Sequence, residues 1–220
     1  GFKIYWTIHN YLSHACEDQA SEIAFRRSLY ALSDKVFVHH PLAADLLDWL
    51  PDRSKLAICE HGPIARVNPE YAEVLELQNR LGLIDKGFVL SCVGQVKPYK
   101  GLMKLLPTIY ELLVELPKFQ FVLAGRIADK AVQDWLGSHS HPRLVVLDKF
   151  LDDRELECLM LASDAGLLSY ENILTSGAIF HWMSLGRPVL GSRKGLIPPY
   201  VVDGWNGCLY DSVEDFASFI

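Results

Sequence analysis

The sequence predicts an α/β protein made of two Rossmann-like parallel-sheet lobes, and three observations carry that expectation. From residue 88 onward, short β-rich runs alternate with helical ones, the order that builds βαβ units on a parallel sheet. Residues 1 to about 65 show the same rhythm over a shorter length. Two strands also run directly into turns marked by glycine that open helices, and doubly wound sheets gather their ligands at such carboxyl edges. Of the 220 residues 50% are hydrophobic and 22% charged, a balance that suits a packed chain and not a disordered one.

Taken in order, Phe2 to Ile8 reads as a strand because aromatic and β-branched residues dominate it. A helix is expected at 19–32, a strand from Val36 to His39, a short helix at 41–50 and a strand from Leu56 to Glu60. A polar helical stretch, Pro69 to Arg80, follows, so the lobes are expected to divide near residue 65 into parts 1–65 and 66–220, with the ligand between the two sheets. The second lobe offers strands at Phe88 to Val93, Phe119 to Ala124, Leu144 to Leu147, Ala165 to Ser169 and Pro188 to Ser192. Gly101 to Leu116 repeats leucine and isoleucine at helical spacing, with Pro107 expected to mark a kink or an early turn. Asp152 to Ala162 gives a helix capped by aspartate, and Ser176 to Leu185 gives one stopped by Gly186 before Pro188. Gly1 stands where a Met would start a chain, and the helical pattern from Val213 to Ile220 is unfinished, so the sequence reads as a fragment with an incomplete N-terminal lobe.

A net charge of −6 supplies no cationic field for a polyanion, which argues against nucleic acid as a partner. No apolar run approaches the ~20 residues that span a bilayer, and no signal peptide opens the chain. Cys16, Cys59, Cys92, Cys158 and Cys208 are odd in number and form no C-x-x-C pair, which suits a reducing, cytoplasmic compartment, and Cys59 and Cys92, in apolar runs, read as small buried hydrophobes. Dinucleotide, P-loop, zincin and serine-hydrolase signatures are all absent.

Two constellations remain. Val93-Gly94-Gln95-Val96-Lys97-Pro98-Tyr99-Lys100-Gly101 is a strand entering a glycine-marked turn and then a helix. Such a turn exposes backbone N–H groups to phosphate, with Lys97 and Lys100 as countercharge, or else it is an ordinary βα loop with two solvated lysines. Tyr170-Glu171-Asn172-Ile173-Leu174-Thr175-Ser176-Gly177 also follows a strand and opens a helix. Ser176 and Gly177 would set a hydroxyl and an open N–H at the positive end of the helix, or Thr175 or Ser176 is simply its N-cap. Two phosphate-competent ends on one sheet suit a diphosphate.

The order Gly94-Gln95, Lys100-Gly101, Leu123-Ala124-Gly125-Arg126, Ser163-Asp164, Ser176-Gly177, Met183-Ser184-Leu185-Gly186-Arg187-Pro188-Val189 and Gly204-Trp205-Asn206-Gly207 resembles the donor-binding domain of GT-B glycosyltransferases. It looks most like bacterial members that assemble exopolysaccharides and related glycans, and the resemblance spans about residues 88 to 212. It implies that Lys100 binds the donor diphosphate, with Gln95 where a basic partner usually stands. It also implies that Gly125 and Arg126 lie near the base and ribose. Many retaining members carry two Glu residues with seven residues between them; here Ile173 and His181 occupy those slots, and Glu171 lies two residues before the first. The pair is broken, so retaining and inverting chemistry both stay open, with inversion favoured.

In the N-terminal part, Trp6-Thr7-Ile8-His9-Asn10, then His14, form a strand ending in a polar loop. The resemblance implies a histidine at this strand end facing the donor sugar. His9 is then a base on an acceptor hydroxyl or a sugar ligand; the alternative is a histidine satisfied by loop backbone. His39, His40 and His61 close further strand ends as supporting groups, while His139 and His141 read as surface residues. The expectation is a GT-B enzyme moving a hexose from a UDP- or GDP-sugar to a hydroxyl of a glycan or lipid-linked saccharide, in peripheral association with the inner membrane face. A sugar-nucleotide epimerase and a noncatalytic sugar-nucleotide or glycan-binding subunit are the alternatives. Catalytic roles fall to His9 and Glu171, and donor binding to Gly94, Gln95, Lys97, Lys100, Gly125, Arg126, Ser176 and Gly177. No Asp-x-Asp follows a strand, so neither a metal nor another cofactor is expected.

Overall fold

The computed structural model describes residues 1–13, 17–65, 67–83 and 87–220; His14 and Cys16 lie outside them. The N-terminal part contains β1 (Tyr5–Thr7), α1 (Gln19–Leu32), β2 (Lys35–Val38), α2 (Ala43–Leu46) and β3 (Leu56–Ile58). These strands form a parallel sheet in the order β1-β2-β3, with Thr7 beside Phe37 and Phe37 beside Ala57. Asp18 starts α1 by accepting the Ser21 N–H, and the helix ends where Ser33 bonds back to Leu29.

After α3 (Tyr71–Leu81), the larger sheet is built from β4 (Phe88–Val93), α4 (Leu102–Glu115), β5 (Phe119–Ala124), α5 (Lys130–Ser138) and β6 (Leu144–Leu147). Then follow α6 (Asp153–Ala162), β7 (Ala165–Leu168), α7 (Gly177–Ser184), β8 (Val189–Ser192), β9 (Gly207–Tyr210) and α8 (Val213–Ala217). All six strands are parallel, in the order β6-β5-β4-β7-β8-β9. The chain walks outward from β4 to β6, returns to β4's other side and walks the opposite way. The crevice where that direction reverses, beyond the carboxyl ends of β4 and β7, is where such sheets bind ligands.

β5 and β7 are buried along their whole length because helices cover both faces of the sheet, which is why they read as unbroken apolar runs. On α4, Leu102, Leu105, Leu106, Ile109 and Leu113 are buried, each side chain contributing about 1.5–3 kcal/mol of burial. Pro107 produces no break: α4 runs from Leu102 to Glu115 with Pro107 on its exposed side, because the apolar face on either side of it is anchored in the core. Two elements go beyond the sequence expectation, α5 and β9. Asp129 caps α5 by accepting the Ala131 N–H, and β9 pairs with β8 through Leu190 and Cys208.

The two sheets share a core. Leu174 and Leu196, from loops of the larger sheet, pack with Ile8, Tyr30, Val36, Val38, Ala43, Leu47 and Trp49 of the smaller lobe. The Tyr200 hydroxyl also donates to the His39 carbonyl, and the Ile64 N–H donates to Ser184 Oγ.

Candidate functional site

At the carboxyl end of β4 the backbone turns at Gly94, whose φ of 88° lies in the region that favours glycine. The neighbouring turn after β5 holds Gly125 at φ 129°, and a Cβ there would come within 2.3 Å of the Gly94 carbonyl oxygen. The two loops therefore touch backbone to backbone, and any side chain at 125 would drive them apart. Past this contact the strands rejoin, Val96 donating to Arg126 and accepting from Ala128.

A single 3₁₀ turn, Pro98–Lys100, then folds the chain back, closed by Gly101 at φ 66°. This returns Lys100 towards Gly94, its Nζ lying 3.6 Å from where a Gly94 Cβ would stand and 6.0 Å from the centre of the Tyr170 ring. Burial lowers the Lys100 pKa, the nearby Lys97 charge lowers it further, and Cys92 opposes the shift. Among the described residues no carboxylate pairs with this ammonium. A desolvated, unpaired cation at a ligand crevice is held ready for an anion.

Opposite it stands the start of α7. Ser176 is buried at the N-cap position but makes no side-chain cap bond; its Oγ is shared with the Tyr170 hydroxyl at 2.8 Å. Ser176 thus sets its hydroxyl at the start of α7 as expected, engaged by Tyr170, while the reading of either hydroxyl as a helix cap is corrected. Thr175 Oγ1 instead is buried and has no hydrogen-bond partner. The residue type was visible in the sequence, but nothing there told which of the two hydroxyls Tyr170 would occupy. Gly177 opens α7 with its Cβ position 3.7 Å from His61 Nε2.

A chain of contacts thus joins Gly125, Gly94, Lys100, Tyr170 and Ser176, with Thr175 and Gly177 flanking Ser176 in sequence, while Gln95, Lys97 and Arg126 are exposed in the β4 and β5 loops. Glu171 is tied down: its carboxylate pairs with Lys104 at 2.7 Å, and its Cγ lies 2.5 Å from the Cβ position of Gly101. Those contacts are to the first turn of α4. None among the described residues links Glu171 to His9. His181 is buried in a 3.0 Å contact with Glu157 of α6, whose other oxygen accepts the Val67 and Asn68 N–H groups. The histidine in the second Glu slot therefore serves the link between the lobes and not the crevice.

Three histidines stand beyond adjacent strand ends of the small sheet. His9 Nδ1 lies 3.0 Å from His39 Nε2, and His39 Nδ1 lies 2.8 Å from the Cys59 carbonyl oxygen. His61 packs beside His39 with ring centres 5.2 Å apart, and stacks on Phe180 of α7 at 4.5 Å. Burial lowers the His9 pKa, with His39 and His61 adding to the shift, so the imidazole is neutral over a wider pH range than usual. Among the described residues no helix is long and apolar enough to cross a membrane.

The fold has known counterparts. HepE of Anabaena, solved with UDP, superposes with a TM-score of 0.79 at 18% identity over 99% of this chain and 61% of that one. Sucrose-phosphate synthase of Thermosynechococcus elongatus gives 0.79 at 17% identity over 99% and 57%. TarM gives 0.72 at 13% over 99% and 42%. The chain thus spans about three fifths of HepE's length, and the fold is GT-B. No curated protein matches the chain. The sequence model of glycosyl transferases group 1 matches residues 87–220, more than half of the chain, a span that includes Gly94, Lys100, Gly125 and Ser176; the chain belongs to that family.

Proposed function

We propose that the protein transfers a hexose from a nucleotide-diphosphate sugar to a hydroxyl of a glycan or lipid-linked saccharide. The observation that carries the reading is the largely buried Lys100 ammonium, paired with no carboxylate among the described residues, which lies by the Gly94–Gly125 contact and over the Tyr170 ring that bonds Ser176 at the start of α7. A diphosphate would supply the counterion and meet the positive end of α7. HepE has been solved with UDP and with UDP-glucose, which supports a uridine donor here over a guanosine one.

In the reaction the acceptor oxygen attacks the anomeric carbon, the bond from that carbon to the diphosphate breaks, and the hydroxyl proton passes to His9. The nucleoside diphosphate leaves as an anion whose charge Lys100 and the α7 terminus stabilise, the type of preorganised electrostatics that lowers such barriers most. With cationic groups already facing the leaving group, we assign that stabilisation to the chain itself and not to a metal. Ile173 and His181 supply no carboxylate, and Glu171 is neutralised by Lys104, which favours single displacement with inversion.

The test is nucleotide-sugar screening with the intact protein, then product analysis. Transfer to a saccharide with the anomeric configuration inverted supports the reading. Interconversion of the donor without an acceptor replaces it with an epimerase, and tight nucleotide binding with no turnover replaces it with a noncatalytic subunit.

A further inference from the structure

The histidines of the small lobe are linked by the strand register itself. Thr7 stands beside Phe37 and Phe37 beside Ala57, so two residues further on His9, His39 and Cys59 come side by side. The ladder continues through these positions, Ile8 donating to the Phe37 carbonyl and Cys59 to the Val38 carbonyl, so the alignment is fixed by backbone bonds. His39 is only 8% exposed, and its own carbonyl is held by Tyr200 from the larger lobe.

The chemistry of the contacts then assigns the protons. A carbonyl oxygen only accepts, so the 2.8 Å contact with Cys59 puts the His39 proton on Nδ1. Neutral His39 therefore offers a lone pair at Nε2. The 3.0 Å contact to His9 Nδ1 is a hydrogen bond only if His9 donates it. We infer that His39 is a positioning residue that holds His9 as its Nδ1–H tautomer, leaving His9 Nε2 as the ring's proton acceptor. Cys59 contributes through its carbonyl alone, so its thiol is free to vary. The inference rests on the proposed role of His9, but it makes a separate statement about where a proton sits.

Long-range ¹H–¹⁵N spectra of the imidazole rings at neutral pH in the intact protein test it directly. In the unsubstituted protein His9 should carry its proton on Nδ1. His39→Met fills much of the ring's volume without a comparable acceptor and should release His9 to the Nε2–H form, whereas His39→Gln can restore an acceptor oxygen and keep Nδ1–H. A His9 found as Nε2–H or as the cation in the unsubstituted protein overturns the assignment even if neither variant folds, and so does Nδ1–H persisting in His39→Met. In transfer assays His39→Met should lower kcat by about tenfold or more at unchanged donor KM, with partial recovery in His39→Gln. The expected tautomers with unchanged kcat would uphold the positioning and remove His9 as the base, so the two ideas fail separately.

Discussion

At Lys100 the electrostatics are simple: burial has already cost the ammonium much of its hydration, and among the described residues no carboxylate repays it. Removing it by Lys100→Ala should weaken UDP binding by about 1–3 kcal/mol, the range for a charged hydrogen bond, read by calorimetry. Its pKa is lowered from 10.5, so the charge is lost at lower pH than in an ordinary lysine, and UDP affinity should decline with rising pH correspondingly early. His9 works in the opposite sense. Its pKa lies below the usual 6.5, and a base is inactive when protonated, so the acid limb of kcat/KM should fall below that value, activity disappearing as pH drops through it. His9→Ala should remove that limb and lower kcat by ~10² or more while leaving UDP affinity unchanged. Gly94 and Lys100 could be picked out in the sequence because a glycine-marked turn at a strand end and the family resemblance point to the same positions. Thr175 could not, since its isolation depends on Tyr170 choosing Ser176.

Among the elements, α6 and α7 are joined by the buried Glu157–His181 contact, and that contact decides what the missing Glu pair means. Restoring the family carboxylate by His181→Glu would set two carboxylates face to face where Glu157 is fully buried. The expected outcome is a loss of about 3–5 kcal/mol of stability in denaturant unfolding, with no gain of transfer activity. A variant that is more active and equally stable would contradict this. The strands of the larger sheet were readable because both their faces are covered, leaving apolar runs such as Phe121 to Leu123. α5 went unread because it is short and polar, with Val132 its one fully buried side chain, and β9 because Gly207 and Cys208 carry little β signal. The broken Glu pair was visible as sequence, but Glu157 as His181's partner was not, since 24 residues and a change of helix separate them.

On the scale of the whole molecule, the donor crevice and the docking of the lobes are one structure. Leu174 lies in the small lobe's core, one residue before the unpartnered Thr175. Leu174→Ala should therefore cost about 2–5 kcal/mol of stability and also weaken UDP binding, although Leu174 itself presents no polar group to a phosphate. Thermal unfolding and calorimetry on the same samples would show both effects, and a loss of stability with unaltered UDP affinity would separate the two structures. The link between the lobes has another consequence, for drift rather than for chemistry. Glu157 grips it by the amides of Val67 and Asn68, so this bond does not depend on the Val67 side chain. Proline would break it, having no N–H to give. Ile64 is likewise held by its amide, on Ser184. Residues 60–63 are the stretch between the last ladder bond of the small sheet, Cys59 to Val38, and the first amide held by the larger lobe, Ile64, and homologues that differ in how far the lobes open are expected to differ there first.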